Sequence, residues 1–303
     1  MHNLQGSIVA LVTPMEVDGV IAWQSLFNLI DWHIESGTKG IVFVGTTGES
    51  ATIDVAEHVQ IIEQSARHVN GRVPVIAGTG ANSTREAIYL TSAAKKAGAD
   101  AALLVTPYYN KPTQEGLIAH YSEIANQVDI PQILYNVPTR TGCDLLPETV
   151  LRLSKHKNIV GLKEATGDMG RLEELKKVLA NQINNKSFLL YSGDDPTAAQ
   201  FILNGGSGTI SVTANIVPSI IAEICNFALQ GRSEEVMLLN AKLEELNKCL
   251  FIESNPIPVK WILYKLGRVP SGLRLPLTTL DSKYHFKMDL LLKELSLLNN
   301  EIT

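Results

Sequence analysis

Lys163 is the residue with the most chemistry to offer, because it ends the apolar run Ile159-Val160-Gly161-Leu162. Strand alternation puts it on the face of Ile159 and Gly161. Burial there would penalise an ammonium and favour the free amine, and a free amine attacks a ketone to form a Schiff base. The same lysine could instead reach solvent or pair with Glu164. Tyr135 ends the preceding apolar run, where a phenol either relays protons to a lysine adduct or packs with one hydrogen bond. Thr46-Thr47 lie between Gly45 and Gly48. Flanking glycines let backbone N–H groups turn toward a carboxylate, or simply make a turn. Arg140, between Pro138 and Gly142, carries a fork that fits a carboxylate bidentately or sits solvated. Tyr108 and Tyr109 are adjacent, so on extended backbone they point opposite ways, which either turns one toward a site and the other toward a partner subunit or packs them under a loop.

Other chemistry-bearing residues read as structural. Cys143 lies near this group without a histidine partner in sequence. Asp194-Asp195 precede Pro196 and read as a helix cap. His58 falls in a helical pattern and reads as a surface polar residue. No His-Glu-x-x-His or Cys-x-x-Cys occurs, so no metal site is expected. Three scattered cysteines, Cys143, Cys225 and Cys249, suit a reducing compartment, and the expected location is cytoplasmic.

These residues need elements to hold them. Eight short runs rich in Val, Ile and Leu read as strands buried on both faces: 7–12, 40–44, 73–77, 101–105, 132–135, 159–163, 188–192 and 207–211. Helical patterns separate them. Ala87, Leu90, Ala94 and Ala97 repeat at helical spacing, as do Leu172, Leu175 and Leu179 behind a capping Asp168. Residues 113–128 and 196–203 read as further helices. Eight strands alternating with helices predict an α/β fold, a (β/α)8 TIM barrel. The rival is an open doubly wound sheet binding a dinucleotide, but Gly78-Thr79-Gly80 lacks the third glycine of that fingerprint. In a barrel the loops after the strands converge on one mouth, where all the candidates above fall. The expected organisation is a catalytic barrel over 1–226 and a C-terminal α-helical extension over 227–303, with helices at 233–251, 258–266 and 288–298.

Composition narrows the function classes. The chain has 303 residues, 45 % of them apolar, and a formal net charge of −5. It has no basic footprint for nucleic acid, no apolar run near the roughly 18 residues of a membrane helix and no secretory pattern at Met1–Gly6.

Taken together, these residues resemble a known family. Gly45-Thr46-Thr47-Gly48-Glu49, Tyr135-Asn136-Val137-Pro138 and Gly161-Leu162-Lys163-Glu164-Ala165 are similar to the signatures of pyruvate-dependent class I aldolases of the dihydrodipicolinate synthase / N-acetylneuraminate lyase family. The likeness runs from about Gly6 through Asn255-Pro256-Ile257-Pro258-Val259-Lys260. Pro138-Thr139-Arg140-Thr141-Gly142 and Val105-Thr106-Pro107-Tyr108-Tyr109-Asn110 resemble the synthase branch. The resemblance implies condensation of pyruvate with L-aspartate 4-semialdehyde on a Lys163 Schiff base, without a cofactor, as the committing step of lysine and diaminopimelate biosynthesis. It implies a proton relay of Tyr135, Thr47 and Tyr109, with Tyr109 lent by a neighbouring subunit of a homotetramer built from two tight dimers. Thr46 and Thr47 would hold the pyruvate carboxylate and Arg140 that of the semialdehyde. Gly193 and the Ile210 carbonyl would line the pocket. It further implies L-lysine inhibition at the tight-dimer interface through Ser50, Ala51, His58, Asn82, Glu86 and Tyr108. Val55 replaces a histidine usual in close enterobacterial-type members, which implies weaker inhibition. Two other functions are open: an aldolase splitting N-acetylneuraminate or a keto-deoxy sugar acid, and a catalytically silent protein that binds lysine or pyruvate.

Overall fold

A computed structural model describes residues 4–300, with side chains through Glu294. All eight expected strands are present: β1 Gly6–Ala10, β2 Gly40–Phe43, β3 Val75–Gly78, β4 Ala101–Val105, β5 Gln132–Asn136, β6 Ile159–Glu164, β7 Leu189–Ser192 and β8 Gly208–Ser211. Every neighbouring pair is parallel, and β8 pairs back onto β1, closing a TIM barrel. Closure is tight at Gly208. A side chain there would put its Cβ 2.1 Å from the Gly6 carbonyl oxygen, so only glycine fits.

Strand ends shift where a hydrogen bond leads the backbone elsewhere. β1 stops at Ala10, two residues before the expected end, and the Val12 N–H goes to Asn215 Oδ1 at 3.1 Å instead of a neighbouring strand. β3 starts at Val75 rather than residue 73, because Pro74 has no N–H to give the ladder and Val75 N–H is held by Asp100 at 2.8 Å.

Alternation divides the strand side chains into two layers. Ile8, Val42, Ile76, Leu103, Ile133, Tyr135, Tyr191 and Ile210 fill the barrel interior. Val9, Ile41, Phe43 and Ala77 face outward onto the helices. On the opposite side of the barrel, Leu104, Leu134, Leu162 and Leu190 do the same. Burial on both faces explains why the strands read as unbroken apolar runs.

Helices fill the connections. Thr113 caps the helix Gln114–Gln127 and Asp168 caps Met169–Val178, each accepting a backbone N–H. The helix Pro218–Leu229 packs on β1 and β8, and a division of the chain at 226/227 would cut it. The expected single helix over 233–251 is two, Ser233–Ala241 and Glu244–Cys249. Between them the N–H groups of Lys242 and Leu243 bond three residues back rather than four, which tightens the chain. The second piece is pinned to the loop after β8, where Thr213 Oγ1 donates to Asn247 Oδ1 at 2.7 Å. The helices Ile257–Lys265 and His285–Asn300 complete the extension. No helix among the described residues is long and apolar enough to cross a membrane.

Candidate active site

Three strands place three long side chains in one interior layer. The register pairs Tyr135 on β5 with Lys163 on β6, and Lys163 with Tyr191 on β7. Lys163 is 5 % exposed, and its Nζ lies 4.3 Å from the centre of the Tyr135 ring. Tyr191 is fixed from below, its hydroxyl donating to the Leu4 carbonyl at 2.8 Å. Gly161 shares the Lys163 face, but Ile159 does not. The β5–β6 register skips Val160, and this irregularity turns Ile159 outward into the helix layer. Gly193, just after β7, leaves open the space beside the lysine. A Cβ there would stand 2.7 Å from Lys163 Cε and 2.7 Å from Ala165 Cβ.

Glu164 alternates away from Lys163 and does not pair with it. Its carboxylate accepts the Asn136 amide at 3.1 Å and the Thr166 N–H at 2.9 Å, and burial pushes its pKa up. Asn136 also donates to Asp144 at 2.8 Å and accepts the Leu145 N–H at 2.9 Å, while Arg171 holds Asp144 at 2.7 Å. This buried net anchors both ends of the loop carrying Arg140, which is exposed in the short helix Pro138–Thr141.

The loop after β2 is held by the C-terminal extension. Thr47 is 3 % exposed, and its Oγ1 accepts the Asn255 amide at 2.9 Å. Two residues on, Glu49 and Lys260 form an ion pair of 2.5 Å with both side chains essentially fully buried. Lys260 also donates to the Thr13 carbonyl at 3.0 Å. Burial lowers the Lys260 pKa, and the Glu49 carboxylate opposes the fall. Arg274 closes the same corner. Its backbone N–H reaches Glu49 at 3.2 Å, and its guanidinium clasps Glu57 at 2.6 and 2.7 Å. Neither Asn255 nor Lys260 was expected at the site from sequence. Their partners lie 208 and 211 residues away, so no local spacing reveals them.

A cavity of about 400 Å³ opens at this end of the barrel. Thr46 and Arg140 line it, together with Ser50, Ala51, His58, Glu86 and Tyr108. Lys163, Tyr135, Thr47, Gly193 and Ile210 are absent from its wall, with Lys163, Tyr135 and Ile210 inside the barrel proper. Asn82 is also off the wall, its carbonyl accepting the Asn110 amide at 2.9 Å. His58 is buried rather than at the surface, and among the described residues its Nε2 has no hydrogen-bond partner. Burial draws its pKa down to about 4. Tyr108 is half-buried, and its pKa is raised by burial and by Glu86.

Tyr109 is 89 % exposed and is not brought to Lys163 within one chain. Its backbone is a left-handed turn (φ 73°) rather than the extended conformation expected. Asp194 caps the helix Asp195–Leu203 through the Thr197 N–H. Asp195 does not join that cap. It is fully buried and accepts the N–H groups of Val212 and Thr213 at 2.8 and 2.9 Å, tying β7 to the loop after β8. The Cys143 thiol donates to the Pro112 carbonyl, and burial raises its pKa. Among the described residues no group of His, Cys, Asp or Glu could hold a metal ion.

A closed (β/α)8 barrel with an interior lysine at the end of its sixth strand, packed on a tyrosine of the fifth, is the layout of a class I aldolase. Comparison with known proteins narrows this further. Residues 3–295 match the model of the dihydrodipicolinate synthetase family, and the chain belongs to that family. It is 57 % identical over 295 residues to a 4-hydroxy-tetrahydrodipicolinate synthase of Saccharophagus degradans, covering 97 % of this chain and 100 % of the relative. Its structure is similar to the chloride-inhibited dihydrodipicolinate synthase from Acinetobacter baumannii complexed with pyruvate, with TM-score 0.93 and 54 % identity over 96 % of this chain and 98 % of that one. It is also similar to the enzyme from Cyanidioschyzon merolae with lysine bound, with TM-score 0.91 and 36 % identity over 97 % and 99 % of the two chains.

Proposed function

We propose that this chain is a lyase, a 4-hydroxy-tetrahydrodipicolinate synthase, which condenses pyruvate with L-aspartate 4-semialdehyde. The observation that carries this is the interior Lys163 beside Tyr135 in the cleared space at Gly193, in a chain similar over nearly its whole length to synthases of that name. The Lys163 amine adds to the pyruvate ketone, and the carbinolamine loses water to give an imine. The imine withdraws electrons as the methyl group loses a proton, and the resulting enamine attacks the aldehyde. The substrate's own amine then displaces Lys163 and closes the ring, returning the free lysine. The lysine adduct needs no cofactor.

Tyr135 and Thr47 move protons in these steps. Thr46 and Thr47 receive the pyruvate carboxylate, and Gly193 and the Ile210 carbonyl line its pocket. Arg140 receives the semialdehyde carboxylate. Tyr109 completes the relay in a neighbouring subunit, consistent with its 89 % exposure on a protruding turn, and the assembly is a homotetramer of two tight dimers in the cytoplasm. L-lysine regulates the enzyme at the tight-dimer interface through Ser50, Ala51, His58, Asn82, Glu86 and Tyr108, weakly because Val55 supplies no polar group.

A coupled assay tests this reading. Pyruvate and L-aspartate 4-semialdehyde are supplied with dihydrodipicolinate reductase and NADPH. NADPH oxidation that vanishes in Lys163→Ala, together with a borohydride-trapped pyruvate adduct on Lys163, is the expected result. Turnover with a sugar aldehyde in place of the semialdehyde would move the chain to another aldolase branch, and an adduct without turnover would make it a binding protein.

A further inference from the structure

Asn255 is one of the points where the helical extension touches the polar loops at the barrel mouth. The residue is 6 % exposed and lines the cavity with Thr46 and Arg140. Its Oδ1 is buried and has no hydrogen-bond partner among the described residues, whereas its Nδ2 donates to Thr47 Oγ1 at 2.9 Å. The segment is anchored just beyond by Lys260, which grips Glu49 in the same β2 loop as Thr47. Two ties thus run from the extension to one loop, and one of them ends on the hydroxyl itself.

A threonine hydroxyl has one proton to donate and two lone pairs that accept. With the Asn255 amide on one lone pair, the Thr47 proton is directed away from Asn255. Building on the reading that Thr47 serves in the proton relay, we propose that Asn255 is a positioning residue that makes Thr47 a hydrogen-bond donor toward the reacting centre. Asn255 itself touches no reacting atom. An aspartate in its place keeps the shape and reverses the polarity. An ionised carboxylate only accepts, so it captures the Thr47 proton and withdraws it from the relay.

The test uses the full-length enzyme with steady-state kcat and KM for both substrates across pH 6–9, alongside thermal melts and borohydride trapping. Asn255→Asp is expected to melt near the wild type and to lose at least tenfold in kcat at pH 8, with a smaller change in either KM. Its activity relative to wild type rises as pH falls, because a protonated carboxyl donates to Thr47 again. The other ionisable groups on the cavity wall, Glu49, His58, Glu86, Tyr108 and Arg140, are common to both proteins and cancel in that ratio. In a Thr47→Val background Asn255→Asp costs less than twofold, the non-additivity expected of two groups acting as one. Asn255→Ala is the second variant. It removes the donor without adding charge, so it lowers kcat equally at every pH and is likewise silent beside Thr47→Val.

Either variant staying within twofold of wild type, or losing the same factor in the Thr47→Val background, overturns the proposal. A wild type that forms no adduct and turns over neither substrate overturns the synthase function itself, an outcome distinguishable because it needs no variant.

Discussion

A side chain at Gly193 and the side chain of Lys163 cannot occupy the barrel mouth together, since a Cβ on Gly193 would stand 2.7 Å from Lys163 Cε. Both Lys163 and Ala165 bound this space, so the added methyl has no free direction. Gly193→Ala is therefore expected to displace the lysine from its position over Tyr135. Overpacking of this kind costs about 1–3 kcal/mol of stability. The larger effect falls on borohydride trapping with pyruvate, which slows by at least tenfold while the fold, checked by circular dichroism, persists.

Lys260 and Glu49 form a buried pair, and losing one partner strands the other's charge. Lys260→Met is expected to cost about 3–5 kcal/mol in denaturant unfolding. The double variant Glu49→Gln, Lys260→Met removes both charges and recovers a large part of that loss. A double variant as unstable as the single one would show that packing, not charge, dominates this corner.

Arg140 sits on the cavity wall, away from the lysine layer. Arg140→Ala is expected to raise the KM for L-aspartate 4-semialdehyde by roughly tenfold to a hundredfold, the size of a lost charge-assisted hydrogen bond of about 1.5–3 kcal/mol. Pyruvate adduct formation on Lys163 continues. Equal losses for both substrates would mean that the loop, not the guanidinium, is what matters.

Among the described residues, His33, His58 and His120 are buried. Desolvation lowers His33 to about 3 and His58 and His120 each to about 4, from an ordinary value of 6.5. The unfolded chain binds more protons than the native one between these values, so stability rises with pH there. Their contribution is complete above pH 6.5 and is lost as pH falls toward 4. Thermal melts at pH 7.5 and 5.0 should show a lower Tm at the acid value, and His120→Gln should reduce the difference.

Val55 is 41 % exposed and lines the cavity with His58 and Glu86. L-lysine is expected to inhibit weakly, at millimolar concentration, and Val55→His to lower the half-inhibitory concentration by restoring a polar group. Dose–response curves on the coupled assay measure both. An identical response in the two proteins would remove position 55 from the regulatory site.

Strand order was legible along the chain for a simple reason. A barrel strand is buried on both faces, so it is written as a short apolar run, and a polar residue at its end stands out, as Lys163 and Tyr135 do. The Asp168 helix cap is equally local, since its bond closes within two residues. What the chain did not disclose depends on long-range contact. The Val160 irregularity that turns Ile159 outward arises from pairing with β5. The break after Ala241 falls where no glycine or proline marks it, beside a segment pinned to the β8 loop. Asp195 looked like half of a cap, yet it bonds backbone 17 and 18 residues away.

The residue types and their order thus determined a barrel, a lysine at the end of its sixth strand and the loops that accompany it, because each is set by alternation and local turns. Tertiary structure alone decided that Asn255 would meet Thr47 and that Lys260 would meet Glu49. Such pairs span more than two hundred residues. A buried polar group takes whichever partner the closed barrel brings within reach, and no periodicity in the chain encodes that choice.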